Sequence, residues 1–435
     1  MRKYIYIFLI VICFTTTYAS ENLKRLSNAP QSLIDSGVFK EIDFAKATKY
    51  KSYHIPSRAN PNLTTLQYYF WRENFTRTPT EYNTYPVFPS NEPYEFKFDL
   101  IENKNVKKQM ETKPILSYLF FEGDRIIIDE MSPKEKFGKF MNNETKLRSQ
   151  SMGKSLVAYV LGHAICEGYI ESVDSKISDW NLVKDTLYEN HSLIDILNMA
   201  SGDQKYVYDS AAIVNGKVSA DYRGSGTDID PVAVQTNLNL HFKNKLPSKK
   251  KYNYNVMNTN LILNYVLFKT GDEFQKILDK TFKEKAKIKY PVYFYKKNAL
   301  KEEGNADSMF YATRYDYLRI AKAIMDDYQK QNCVGKYLKE IYDRRIPKKL
   351  DMSGKGKRSE PQYNRTYSYG GQFHLNYPGL KDKIVFGMGG YGGKAILIDV
   401  EDSRIVILHS QHFNNKGFKY NVKKLLIDPI KKGFN

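Results

Sequence analysis

Ser151-Met152-Gly153-Lys154-Ser155-Leu156-Val157-Ala158-Tyr159-Val160-Leu161 sets a hydroxyl and an amine three residues apart at the head of an apolar run. Residues three apart on a helix share a face. Leu156, Val157, Val160, Leu161, Ala164 and Ile165 recur at the spacing of one buried helical face. Ser151 would then open the helix, where backbone N–H groups are free to donate. A serine hydroxyl is a poor nucleophile at neutral pH, because it holds its proton. A lysine that has lost its own proton in a dry pocket can take it. One helical turn thus offers nucleophile and base without a histidine. The same spacing recurs at Ser248-Lys249-Lys250-Lys251. That copy follows Pro247 and carries three lysines in a row, so it reads as an exposed loop. Taken alone, the first copy is more often an ordinary helix start with a surface lysine than a catalytic pair.

Working outward, Arg2 and Lys3 precede an apolar stretch from Tyr4 to Phe14, and Thr17-Tyr18-Ala19 ends in a small residue. Charged start, short apolar centre and small exit describe a signal peptide over residues 1–19, hence a periplasmic or secreted protein. The apolar stretch is short for a membrane span, and an uncleaved anchor is the lesser alternative. Cys13 follows Ile12 rather than a small residue, which argues against lipid attachment there. Export leaves Cys166 and Cys333. Cys166 reads as a packed thiol on the apolar helix; one disulfide between the two is possible, but nothing in the spacing argues for it.

The chain of 435 residues is 42% hydrophobic, enough for a substantial core in two lobes or domains. Its net charge of +19 comes from lysines spread along the whole length. An exported chain without a recognisable nucleic-acid motif is not expected to bind nucleic acid. Weak electrostatic association with anionic envelope components is what such a charge allows.

Residues 20–105, rich in Tyr, Asn, Pro and Thr, read as an extended N-terminal arm with short helical pieces. Residues 106–430 read as the main domain. Ile115 to Phe121 and Arg125 to Glu130 flank Glu122-Gly123-Asp124 as a β-hairpin. Helices are expected from Ser151, over His191 to Ala200, Asn258 to Thr270 and Tyr315 to Tyr328, and a closing helix over Asn421 to Ile427. Residues 203–250 read as a long loop. Tyr367–Leu375, Ile384–Met388, Ala395–Val400 and Arg404–Ser410 read as strands. Strands at both ends and helices between them predict an α/β fold: one antiparallel sheet built from both termini, flanked by helices, with a mostly helical lobe inserted.

Six segments in order resemble the serine hydrolases related to class C β-lactamases and penicillin-binding proteins, in particular the branch of 6-aminohexanoate-dimer hydrolases and esterases. They are Ser151–Leu156, Glu167–Ile170, Asp195–Gly202, Tyr254–Asn260 running to Thr270-Gly271, Ala312–Asp316, and Gly390-Tyr391-Gly392-Gly393-Lys394 with Ile398-Asp399. The resemblance spans about residues 105 to 430. It implies a β-lactamase-like fold and a serine hydrolase that needs no cofactor or metal and acts on a small ester or amide.

By matching position, the resemblance makes Ser151 the nucleophile and Lys154 its base. Tyr254 would assist proton transfer to the leaving group. A phenol with a pKa near 10 needs a cation beside it for that work, and Lys154 would be that cation. Tyr252 is the nearest rival, but Tyr254 has the family's separation from Gly271. The backbone N–H groups of Ser151 and Tyr391 would form the oxyanion hole. Gly390, Gly392 and Asn258 would contact substrate. Two departures stand out. Met388 occupies the place of the lysine or histidine that grips a carboxylate in β-lactamases, and Val256 replaces the asparagine two residues after the tyrosine. Both weigh against penicillin recognition and D-Ala-D-Ala peptidase activity. Lys394 stands where a glutamine is common, with no evident consequence from sequence. The alternatives are a β-lactamase or cell-wall peptidase, and a non-catalytic protein that binds the envelope through its basic surface. His163, His191, His409 and His412 lack metal-ligand spacing, and His163 reads as a hydrogen-bonded core residue.

Overall fold

Short apolar runs recur through the last third of the chain and at Ile115, and these stretches meet in one sheet. The computed structural model describes residues 25–42, 62–207, 213–214, 217–218, 234, 238–296, 306–349, 360–412 and 417–434. The expected leader and part of the 203–250 loop lie outside them. The sheet holds nine described strands: β1 (Lys97–Phe98), β2 (Ile115–Glu122), β3 (Arg125–Met131), β4 (Ile346–Pro347), β5 (Ser368–Gly370), β6 (Phe373–Leu375), β7 (Val385–Gly390), β8 (Lys394–Asp399) and β9 (Arg404–Ser410). Their order is β4-β5-β6-β7-β8-β9-β2-β3-β1. Pairing is antiparallel except at one edge, where β1 lies parallel to β3. The termini join where Ile405 faces Phe121 and Leu408 faces Tyr118 across β9 and β2.

Successive residues of these strands face two different cores. Leu119, Phe121, Ile396, Ile398, Ile405 and Ile407 point into the larger one, while Tyr118, Phe120, Leu397, Val406 and Leu408 point into the smaller one behind the sheet. Such strands are buried on both faces, which is why they read as near-continuous apolar runs. Each fully buried aliphatic side chain contributes about 1.5–3 kcal/mol.

The longer helices among the described residues are α1 (Leu63–Phe75), α2 (Lys104–Thr112), α3 (Met152–Cys166), α4 (Met257–Thr270), α5 (Arg314–Lys330) and α6 (Cys333–Asp343). Thr313 caps α5, its hydroxyl accepting from the Asp316 N–H. Helix α3 is buried from Met152 to Ala164, so it is a central helix, not a surface one. The expected α/β architecture is the one found, and the differences have local causes. His191–Ala200 contracts to a helix over Leu193–Leu197. The single strand expected over Tyr367–Leu375 is a hairpin, because Gly371 (φ 56°) and Gln372 (φ 67°) turn the chain between β5 and β6. The closing helix begins later, with Lys423–Ile427 as a π turn followed by Asp428–Lys432.

The inserted lobe is not only helical. Thr84–Val87, Val292–Lys296, Ala306–Thr313 and Lys146–Arg148 make a second, antiparallel sheet of four strands. The segment expected as an extended arm supplies one of those strands, the edge strand β1 and the 13-residue α1. Leu66, Tyr69, Phe70 and Glu73 are all buried along α1, at the spacing of one helical stripe. The stripe is hidden in sequence because a carboxylate sits on it. Cys166 ends α3 and Cys333 begins α6, and the two are joined as a disulfide with Cα atoms 5.8 Å apart. Cys166 is therefore not the free packed thiol its apolar surroundings suggested.

Candidate active site

Ser149-Gln150-Ser151 leaves the four-stranded sheet and enters α3 through a sharp turn. Gln150 takes φ 51°, a left-handed backbone that non-glycine residues seldom hold without support. Ser149 fixes the turn: its N–H donates to the Phe310 carbonyl at 2.8 Å, and its hydroxyl accepts from the Phe310 N–H at 3.0 Å. Ser151 is half-buried, at the mouth of the helix. One turn on, Lys154 is 3% exposed, with Nζ 3.4 Å from Ser151 Oγ. Burial pushes the Lys154 ammonium down to about 7, against an opposing pull from Asp307. A substantial fraction of this amine is therefore neutral near pH 7. Ser248, in contrast, lies in irregular backbone, with Lys249–Lys251 exposed around it.

Tyr254 comes from the irregular segment that leads into α4. Its ring lies beside the lysine, with Lys154 Nζ 5.2 Å from the ring centroid. The rival Tyr252 points elsewhere and donates to Glu360 at 3.0 Å. Asp203, fully buried after Ser201-Gly202, holds this segment in place. It accepts from Asn253 at 2.8 Å, Asn255 at 3.1 Å, Asn258 at 3.2 Å and Tyr188 at 3.0 Å. Asn258 was expected to contact substrate, and the structure places it inside this network instead. It is fully buried, its amide donating to Asp203 while its oxygen accepts from Ser201 Oγ at 2.8 Å.

The third approach is the end of β7. Gly390 packs directly on the nucleophile turn: a Cβ there would stand 2.6 Å from the Ser149 carbonyl. Tyr391, half-buried, leads the turn into β8. Gly393 takes φ 86°, and a Cβ there would strike His412. Gly392 lies within that turn and is buried, its carbonyl accepting from the His412 N–H at 3.0 Å. Met388 is 1% exposed in the main core, and no cation reaches the site from that position.

Two groups escaped the sequence reading. Glu73 of α1 is 4% exposed and meets Gln150, Lys394 and Gln411. Behind Tyr254, Lys348 Nζ stands 2.6 Å from Glu360, 2.8 Å from the Asn364 carbonyl and 2.8 Å from His374 Nδ1. The His374 ring is 6.0 Å from that of Tyr254, and burial together with Lys348 and Lys154 holds it neutral, well below the usual histidine range. His163 is also kept neutral by burial, at about 4, and its Nε2 has no hydrogen-bond partner among the described residues.

No protein-family model matches the chain, and no curated protein does. Solved structures do. A candidate 6-aminohexanoate-dimer hydrolase from Bacillus anthracis superposes with a TM-score of 0.59 at 12% identity, covering 86% of this chain and 98% of that one. The D-amino acid amidase from Ochrobactrum anthropi SV3 gives 0.54 at 14%, covering 77% of this chain and all of the other (100%). At these identities the likeness is one of fold, and the chain has a β-lactamase-like fold.

Proposed function

We propose that the protein is a serine hydrolase that cleaves a small ester or amide through an acyl-enzyme on Ser151. One observation carries this reading: Ser151 Oγ lies 3.4 Å from a buried lysine amine whose pKa is brought to about 7. A snorkelling surface lysine would keep its ordinary value and its water. The structures that share the fold include proteins described as an amidase and a dimer hydrolase, which accords with this chemistry.

In acylation, neutral Lys154 takes the Ser151 proton while Oγ bonds to the substrate carbonyl carbon. The carbonyl electron pair moves to oxygen, where the N–H groups of Ser151 and Tyr391 receive it. Collapse of the tetrahedral adduct breaks the bond to the leaving group, which takes a proton through Tyr254. Water then adds to the acyl-enzyme with the same residues in reverse roles and releases the acid. The Cys166–Cys333 disulfide suits an oxidising compartment, in keeping with the expected export. No helix among the described residues is long and apolar enough to cross a membrane.

A panel of p-nitrophenyl esters, aryl amides and nitrocefin tests the reading, with Ser151→Ala as control. Ester or amide turnover that vanishes in the control is the expected result. Nitrocefin turnover exceeding that of both would replace it with a β-lactamase, and turnover unaffected by Ser151→Ala would dismiss it.

A further inference from the structure

Glu73 lies on the apolar stripe of α1, seven residues after Leu66. A buried carboxylate is costly unless it is paired and hydrogen bonded. Here it is both. Gln150 Nε2 donates to Oε1 at 2.5 Å, while Lys394 Nζ and Gln411 Nε2 reach Oε2 at 3.2 and 3.1 Å. These partners are not arbitrary. Gln150 is the left-handed residue immediately before Ser151. Lys394 also donates to the Tyr391 carbonyl at 3.2 Å, fixing the turn whose N–H faces the proposed oxyanion. The end of α1 that carries the carboxylate is itself held: Tyr311 donates to the Glu73 backbone carbonyl at 2.9 Å, and the Arg148 N–H donates to the Asn74 side chain at 2.8 Å.

We propose that Glu73 is a positioning residue for the oxyanion hole. One carboxylate from the N-terminal segment holds the turn before Ser151 and the turn that carries Tyr391 in a single arrangement. This rests on the serine-hydrolase reading above. It also gives Lys394 a reason: a cation in place of the family's common glutamine is matched to a buried carboxylate brought in by α1. The N-terminal segment is thereby part of the catalytic frame, and not a separable appendage. Oxyanion donors work only when held where the charge develops, and a displacement of about 1 Å can cost on the order of 10²-fold in rate.

The test uses the full chain with p-nitrophenyl butyrate as substrate and a fluorophosphonate to titrate functional Ser151. In Glu73→Gln, kcat per titrated site should fall at least about tenfold, with KM within about threefold. Glu73→Gln/Lys394→Met removes the cation left unpaired. It should regain melting temperature while kcat per site stays low. A kcat per site equal to wild type in either variant would show that Glu73 only stabilises, and would overturn the proposal. If Glu73→Gln does not fold, the double variant carries the test. A wild-type protein that never labels sinks the serine-hydrolase reading itself, and that result is visible before any Glu73 variant is compared.

Discussion

Lys154 decides whether Ser151 is a nucleophile or a helix start. Its burial is what the account depends on, because a dry amine is a base and a hydrated ammonium is not. General-base catalysis is typically worth about 10²–10⁴-fold, so Lys154→Met should slow acylation by that factor. A loss under threefold would remove Lys154 from the mechanism. The labelling rate of Ser151 should rise about tenfold per pH unit and level off near pH 7, where the amine becomes neutral. The sign for stability follows from the same shift. The unfolded lysine titrates near 10.4, so the unfolded chain binds more protons between about 7 and 10.4. Stability from this residue therefore rises with pH through that window, and the penalty is full below it. Lys154→Met should melt higher than wild type, by a larger margin at pH 6.5 than at pH 9.5; an equal margin would contradict the shift. Tyr254→Phe should reduce anilide hydrolysis by about 10²-fold or more and nitrophenyl ester hydrolysis by less than about tenfold, since nitrophenolate leaves without a proton. Equal losses would take leaving-group protonation away from Tyr254.

At the scale of elements, four donors around the approach to α4 converge on one carboxylate. Asp203→Ala strands the donors of Asn253, Asn255, Asn258 and Tyr188 in a buried pocket. Each stranded donor costs about 1–3 kcal/mol, and the four share one acceptor, so a loss of about 3 kcal/mol or more is expected in urea unfolding. A loss under 1 kcal/mol would mean that the segment is held by other contacts. The elements also show what a sequence can disclose. Helix α3 and strands β7 to β9 were legible, because burial along nearly their whole length writes apolar runs into the residues. Helix α1 was not, since Glu73 interrupts its stripe, and neither was the second sheet, whose members Thr84–Val87 and Lys146–Arg148 are only four and three residues long. The partners of Asn258 were hidden for a related reason. A motif gives its position in the chain, while its two hydrogen-bonding ends are settled only by Asp203 and Ser201.

Across the whole molecule, long-range pairings hold the site together. Glu73 and Lys394 are 321 positions apart, and no local pattern announces their contact. The same holds for Lys348 with His374, which needs the β5–β6 hairpin to exist first. Cys166 and Cys333, separated by 167 positions, tie the far end of the nucleophile helix to α6. By loop-closure entropy such a crosslink is worth about 5 kcal/mol, so Cys166→Ser/Cys333→Ser should melt several degrees lower. Unchanged melting, or two free thiols titrated in the unfolded oxidised protein, would contradict the pairing. The proposed chemistry as a whole stands or falls at one atom. Incubation of the intact protein with a fluorophosphonate, followed by peptide mass mapping, tests it most directly. The account predicts one adduct per chain, on Ser151, absent in Ser151→Ala and slowed in Lys154→Met. A folded wild-type protein that acquires no adduct, or acquires it on another residue, would contradict it.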